Sequence, residues 1–268
     1  MSLDRRTLLR AALGGTIASA YGMEPASAAG GHRRTVFVAG DSTAATYATA
    51  DIPRAGWGQA LPVFLRPEIT VVNAALSGAS SKSFADLGRL DLIRAAIRPG
   101  DVLLISFGHN DEKTEDPARY TEPWTTFQEY LRRYLDGARA RHARPILVTP
   151  VERRRFRTDG TPYESHGEYP AAMRALAEAT GTPLIDLTAL SFALWSRLGP
   201  EATKDYFLWS EPQGLADNTH FQAHGAIEVA RLVAAAGPQI PGRDRHALHD
   251  PAIPDDVLVW PPTRPAES

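Results

Sequence analysis

Cysteine is absent from the 268 residues, which excludes disulfides, thiolate nucleophiles and cysteine-ligated zinc together. Excess positive charge is also missing: 29 Lys+Arg stand against 31 Asp+Glu, a formal −2. Neither a nucleic-acid backbone nor an anionic bilayer is therefore an evident partner. There is no His-Glu-x-x-His, no zinc-ligand spacing among the histidines, no phosphate-cradling glycine loop and no dinucleotide fingerprint, so neither a metal nor a cofactor is implied. The nucleophile elbow Gly-x-Ser-x-Gly is missing too, because Ala44 follows Thr43. What is present is an ordinary globular composition, 43% hydrophobic and 22% charged, in a chain long enough to bury a substantial core.

The first residues read as an address. Arg5-Arg6 precedes a weakly apolar run from Ala11 to Met23 and the small-residue stretch Ala26-Ser27-Ala28, a secretory leader of twin-arginine type over residues 1–28. Asp4 stands where Ser is usual before the arginine pair. The apolar run is about 13 residues, short of the ~20 that a spanning helix needs, so the processed protein is expected to be secreted, outside the cell or in the periplasm, with no membrane anchor. The alternative is a basic amphipathic helix that stays attached. Residues 29–240 then form the working domain, and 241–268 a Pro-rich extension expected to lie as a strap, pinned by Val257, Leu258 and Trp260.

Short apolar runs recur at Thr35–Ala39, Thr70–Ala74, Asp101–Phe107, Pro145–Thr149 and Pro183–Leu187. Each is too short for a helix and reads as a buried strand. Between and after them, apolar residues fall at threes and fours over 84–97, 127–138, 169–179 and 226–236. Strand and helix in alternation predict a three-layer α/β/α domain on a five-stranded parallel sheet, with right-handed crossovers and the flavodoxin-like order 2-1-3-4-5. Ligands of such sheets bind beyond the carboxyl ends of the strands. Two stretches break the repeat: a long polar loop at 151–168, and an aromatic, turn-rich one at 204–219.

Chemistry-bearing residues sit where the crevice should be. Gly40-Asp41-Ser42-Thr43 follows the first run; Ser42 is placed either as a nucleophile at a helix start or as that helix's N-cap. Asp217-Asn218-Thr219-His220 offers a base and its orienting carboxylate three residues apart, on a turn or first helical turn, unless Asp217 merely caps the last helix and His220 is a surface histidine. After the third run, Asn110 in Gly108-His109-Asn110-Asp111 is an oxyanion donor or a turn residue. After the second, Gly78 leaves its backbone N–H approachable or is simply a loop glycine.

Taken in order, Gly40-Asp41-Ser42, Gly78, Asn110 and Asp217-x-x-His220 resemble the blocks of the SGNH (GDSL) hydrolases over about residues 35–236. With Gly56-Trp57-Gly58, Gly108-His109-Asn110-Asp111, Thr149-Pro150-Val151, Asp186-Leu187 and Asp217-Asn218-Thr219-His220-Phe221, the chain looks most like the rhamnogalacturonan acetylesterases and their bacterial relatives. Two features depart from them: Ala79 replaces an Arg common in that position, and the cysteines of the fungal members are missing. The resemblance implies a serine esterase that removes acetyl groups from a pectic polysaccharide without a metal. Ser42, Asp217 and His220 would be its triad, and Ser42, Gly78 and Asn110 its oxyanion hole. A monomer acting on an acetylated polysaccharide or oligosaccharide is expected. Substrate contacts are sought at Trp57, His109, Arg153 and Arg154, with a sugar-stacking platform of Trp57, Trp209 and Tyr206. Competing readings are a xylan deacetylase, lipase or thioesterase on the same fold, or a polysaccharide-binding protein without activity.

Overall fold

The computed structural model describes residues 33–263, so the leader expected over residues 1–28 lies outside the described residues. The strands in chain order are β1 (Thr35–Gly40), β2 (Arg54–Ala55), β3 (Thr70–Asn73), β4 (Val102–Ser106), β5 (Arg144–Val148), β6 (Leu184–Ile185), β7 (Phe207–Ser210) and β8 (Leu215–Gln222). The helices are α1 (Trp57–Ala60), α2 (Ser81–Asp86), α3 (Arg89–Ala96), α4 (Gln128–Arg139), α5 (Tyr169–Thr180), α6 (Leu187–Ala202), α7 (Ala223–Ala236) and α8 (Arg245–His249).

The main sheet runs β3-β1-β4-β5-β6 with every neighbouring pair parallel. Numbered among themselves, these five strands have the predicted order 2-1-3-4-5. Alternation explains the layers. Val36 and Val38 of β1 enter one apolar cluster with Leu104, Ile146, Trp195 and the inner face of α7. Phe37 and Ala39 enter another with Ile93, Leu131, Tyr134 and Met173 from α3, α4 and α5. Burial on both faces is why β1 and β4 read as unbroken apolar runs. β3 is an edge strand, with Val72 39% exposed.

Several elements differ from the sequence expectation. The helix expected over 84–97 is two helices, because Gly88 adopts the left-handed conformation at φ 73° between them. α6 was not anticipated: the run ending at Leu187 straddles β6 and the helix, and Asp186 between them caps α6 by accepting the Ala189 N–H at 3.2 Å. The turn-rich stretch after residue 204 holds β7 and β8, which with β2 form a small antiparallel sheet, β2-β8-β7.

The tail lies as a strap only in part: α8 and a short 3-10 helix at Asp255–Val257 interrupt the extended chain that its prolines predict. Leu258 is buried in the β1/α7 cluster and Trp260 packs on its edge, its indole N–H donating to the Arg54 carbonyl at 2.9 Å. Val257, also expected to pin it, is exposed. Among the described residues no helix is long and apolar enough to cross a membrane.

Candidate active site

The Ser42 loop is a tight turn. β1 ends at Gly40, the Ala44 N–H donates to the Asp41 carbonyl at 3.2 Å, and the Thr43 N–H and hydroxyl both donate to Asp41 Oδ1, at 2.9 and 2.7 Å. No helix begins here; a single 3-10 turn follows at Thr49–Asp51, and the next α-helix starts at Trp57. The helix expected behind Ser42 is therefore absent, and with it the N-cap alternative. The carboxylate takes over the holding of the turn, as short polar side chains commonly do. Tyr47 donates its hydroxyl hydrogen to the Ser42 carbonyl at 2.8 Å.

Asp217 and His220 lie in β8, not on a helical turn. Residues three apart in a regular strand face opposite sides. Here Phe207 pairs with Phe221 while Trp209 pairs with Ala216, so β8 carries a bulge opposite β7. Within it, Asp217 Oδ1 accepts the N–H groups of Thr219 and His220 at 2.8 and 3.0 Å, folding the chain back on itself. Asp217 Oδ2 then lies 2.7 Å from His220 Nδ1, and His220 Nε2 lies 2.9 Å from Ser42 Oγ. Burial opposes ionisation of Asp217, but the imidazole and the two backbone N–H groups outweigh it and hold the carboxyl down at about 2. An ionised Asp217 accepts a hydrogen bond from the Nδ1–H, which leaves the Nε2 lone pair facing the serine hydroxyl.

The loops after β3 and β4 close the other side. Gly78 sits at φ 78°, a conformation that side chains resist, and a Cβ added there would meet nothing within 4 Å. Neither its N–H nor that of Ser42 takes part in a turn or loop hydrogen bond among the described residues. Asn110 donates one amide hydrogen to the Ala79 carbonyl at 2.9 Å, tying the two loops together, and keeps the other. Beside it, Asp111 accepts from the Ser81 N–H and hydroxyl and, at 3.1 Å, from the Thr121 hydroxyl. Its burial raises the carboxyl to about 7 against those donors.

Behind these loops lies a buried polar cluster. His109 Nδ1 is 3.1 Å from Asp41 Oδ2, and its ring packs edge-on to His166 at 4.4 Å. Burial holds His109 down at about 4, although Asp41 pulls the other way, so a neutral ring donates to an ionised carboxylate.

The proposed substrate contacts are placed differently from expectation. Trp57 is 0% exposed within the β1/α7 cluster, and His109 is nearly as buried; neither offers a face to a sugar. The platform fails also at Trp209, whose ring lies 4.4 Å beneath the Arg154 guanidinium, and at Tyr206, packed on Trp195 and His224. Arg153 is buried, bonded to Glu112 and to the carbonyls of Ser165 and His109. Arg154 donates to the Asn218 side chain at 3.1 Å and to the Pro200 carbonyl, while its own N–H reaches the Asn218 carbonyl at 2.8 Å. Both guanidinium groups brace the site from behind. Tyr47 and Arg54, whose guanidinium approaches Asp217 at 4.0 Å, border Ser42 and Asp217 and carried no sequence signal, since neither falls in a periodic or motif position. Among the described residues, no group of three His, Asp or Glu side chains is arranged to hold a metal.

The chain has relatives among known proteins. The profile of the GDSL-like lipase/acylhydrolase family matches residues 38–226. The chain is 45% identical to the rhamnogalacturonan acetylesterase RhgT of Bacillus subtilis over 206 residues, 74% of this chain and 87% of that protein. It is 42% identical to the probable rhamnogalacturonan acetylesterase YesY of the same organism, over 74% of this chain and 90% of that one. Among solved structures, Bacillus subtilis YxiM superposes with a TM-score of 0.69 at 33% identity, covering 79% of this chain but 58% of that one. An acetylxylan esterase of Geobacillus stearothermophilus, Axe2, shares the fold at a TM-score of 0.55 and 16% identity, over 78% of this chain and 97% of that one. The chain belongs to the GDSL-like lipase/acylhydrolase family and is an SGNH-type carboxylic ester hydrolase.

Proposed function

We propose that this hydrolase removes acetyl groups from a pectic, rhamnogalacturonan-type polysaccharide through an acyl-serine intermediate, and that it acts after export. The observation that carries the catalytic part is the unbroken line from Asp217 Oδ2 through His220 to Ser42 Oγ, at 2.7 and 2.9 Å. The names of the two Bacillus relatives support the choice of polymer, and the leader pattern over residues 1–28 supports export.

In this mechanism His220 Nε2 takes the proton of Ser42 as its oxygen attacks the acetyl carbonyl carbon. Asp217 holds the ring in the needed tautomer and stabilises the imidazolium. The negative oxygen of the tetrahedral intermediate is met by the N–H groups of Ser42 and Gly78 and by the free amide hydrogen of Asn110. One such donor is worth ~10²–10³ in rate. The C–O bond to the sugar then breaks, His220 returns its proton to the sugar hydroxyl, and acetyl remains on Ser42. Water, deprotonated by His220, attacks that ester; the bond to Ser42 Oγ breaks, His220 returns the proton to that oxygen, and acetate leaves.

Ser42→Ala should abolish turnover of a chromogenic acetate ester while leaving the unfolding midpoint unchanged; retained turnover would refute the assignment. Acetate release measured side by side from rhamnogalacturonan, xylan and homogalacturonan should be fastest from the first. Preference for xylan, or for long acyl chains on small esters, would overturn the choice of substrate.

A further inference from the structure

The net charge of −2 conceals a strongly basic end. The catalytic loops leave the carboxyl ends of the parallel strands; arginines gather at the amino ends. Arg66 precedes β3, Arg34 precedes β1, Arg98 precedes β4, Arg141 and Arg144 flank the start of β5, and Arg245 opens α8 alongside; all six are exposed. Main-chain contacts make this one surface. The Thr70 N–H donates to the Arg34 carbonyl, Gly100 to His142, Arg144 to Asp101, and Arg66 to Gly242. A cleft of about 560 Å³ holds Arg66, Arg243 and Arg245, and another of about 440 Å³ holds Arg139 and Arg144; they adjoin at Gln239–Ile240. Five strands at ~4.8 Å spacing spread these cations over roughly 19 Å.

Half of these guanidinium groups are unpartnered. Arg139, Arg144 and Arg243 donate to main-chain carbonyls and Arg66 pairs with Glu68, but the guanidinium groups of Arg34, Arg98, Arg141 and Arg245 make no hydrogen bond or ion pair among the described residues. The acids nearby do other work: buried Asp101 accepts the Thr35 and Arg98 N–H groups, and Asp244 caps α8. Folding has concentrated like charges at one end of an otherwise net-acidic molecule, which raises the local concentration of a polyanion.

We propose that this pole is a docking surface for a polyuronate chain, distinct from the catalytic rim. The proposal rests on the pectic reading of function, which supplies the anion: galacturonate carboxylates, which guanidinium groups grip in pairs of hydrogen bonds. β1 alone separates the pole from Ser42 by ~20 Å. A chain held on the pole therefore does not enter the site; the enzyme holds one strand of a pectic matrix and works on its neighbours at raised effective concentration.

Affinity electrophoresis of the full mature protein in polygalacturonate, across a salt series, tests this. The variant R98Q/R141Q/R245Q removes guanidinium groups that bond to nothing within the chain, and its unfolding midpoint checks the fold. Wild type should be retarded, less so as salt rises, and the variant should bind about tenfold more weakly with a shallower salt slope. Equal retardation of both proteins overturns the proposal, as does wild-type binding to phosphatidylglycerol vesicles with none to polygalacturonate. If polygalacturonate binds through these arginines while acetate is released only from xylan, the docking surface stands and the pectic reading of the catalytic site falls.

Discussion

At the scale of single residues, Asp217 carries three duties: it accepts two backbone N–H groups, and it orients His220. Asp217→Asn keeps the shape but presents an amide to Nδ1, favouring the wrong tautomer. It should lower kcat on a small acetate ester by about 10⁴ with little change in KM, measured by steady-state kinetics. His109 and Asp111, neighbours but one, pull stability in opposite directions. Folding holds His109 at about 4, against ~6.5 unfolded. Between those values the unfolded chain binds the extra proton, and stability falls as pH drops. Asp111 is held up at about 7, against ~3.9 unfolded, so its contribution is lost as pH rises through the same window. Asp111→Asn removes that opposing contribution. Urea unfolding should show the variant gaining stability from pH 5 to pH 7 and improving relative to wild type; a loss over that range would contradict the assignment. Ser42, Gly78 and Asn110 were legible in the sequence because polar or side-chain-free residues come soon after apolar runs, and His220 because Asp217 stands three residues before it. Arg153 and Arg154 were sought as substrate contacts because they fall in the long polar loop, and only the folded loop shows Glu112 and Asn218 holding them.

At the scale of elements, the site depends on a small sheet that periodicity does not reveal. β8 has no alternation to read, since its bulge places Asp217, Asn218 and Thr219 outside the pairing with β7, and β2 is two residues long. The main strands were readable because burial on both faces selects apolar residues without interruption, their ends matching to within a residue at β1, β3, β4 and β5, whereas β6 is only two residues long and was read as five, because the run continues into the first residue of α6. Arg154 clamps the bulge through Asn218 and stacks on Trp209. Arg154→Ala should therefore lower kcat on a small chromogenic ester as much as on pectic polymer, roughly tenfold. A loss confined to the polymer would mean instead that Arg154 touches the uronate.

At the scale of the molecule, the strap and the charge distribution are both properties of the folded surface. Pro-rich composition predicts an extended tail, but which side chain enters the core is decided by register: Leu258 is 6% exposed while Val259 beside it is 77% exposed. Leu258→Ala should cost ~2–4 kcal/mol in urea unfolding, whereas Val259→Ala should cost almost nothing; equal effects would show that the strap does not brace the core. Net charge likewise averages away the basic pole, which exists only because parallel strands bring their amino ends together. In the proposed mechanism this scaffolding serves one contact, between the imidazole of His220 and the oxygen of Ser42. Labelling with a serine-reactive fluorophosphonate, followed by peptide mapping, tests that contact most directly. The adduct should fall on Ser42 alone, at a rate cut at least a hundredfold, on the order of a lost general base, in His220→Ala. Labelling at another serine, or an undiminished rate without the imidazole, would contradict it.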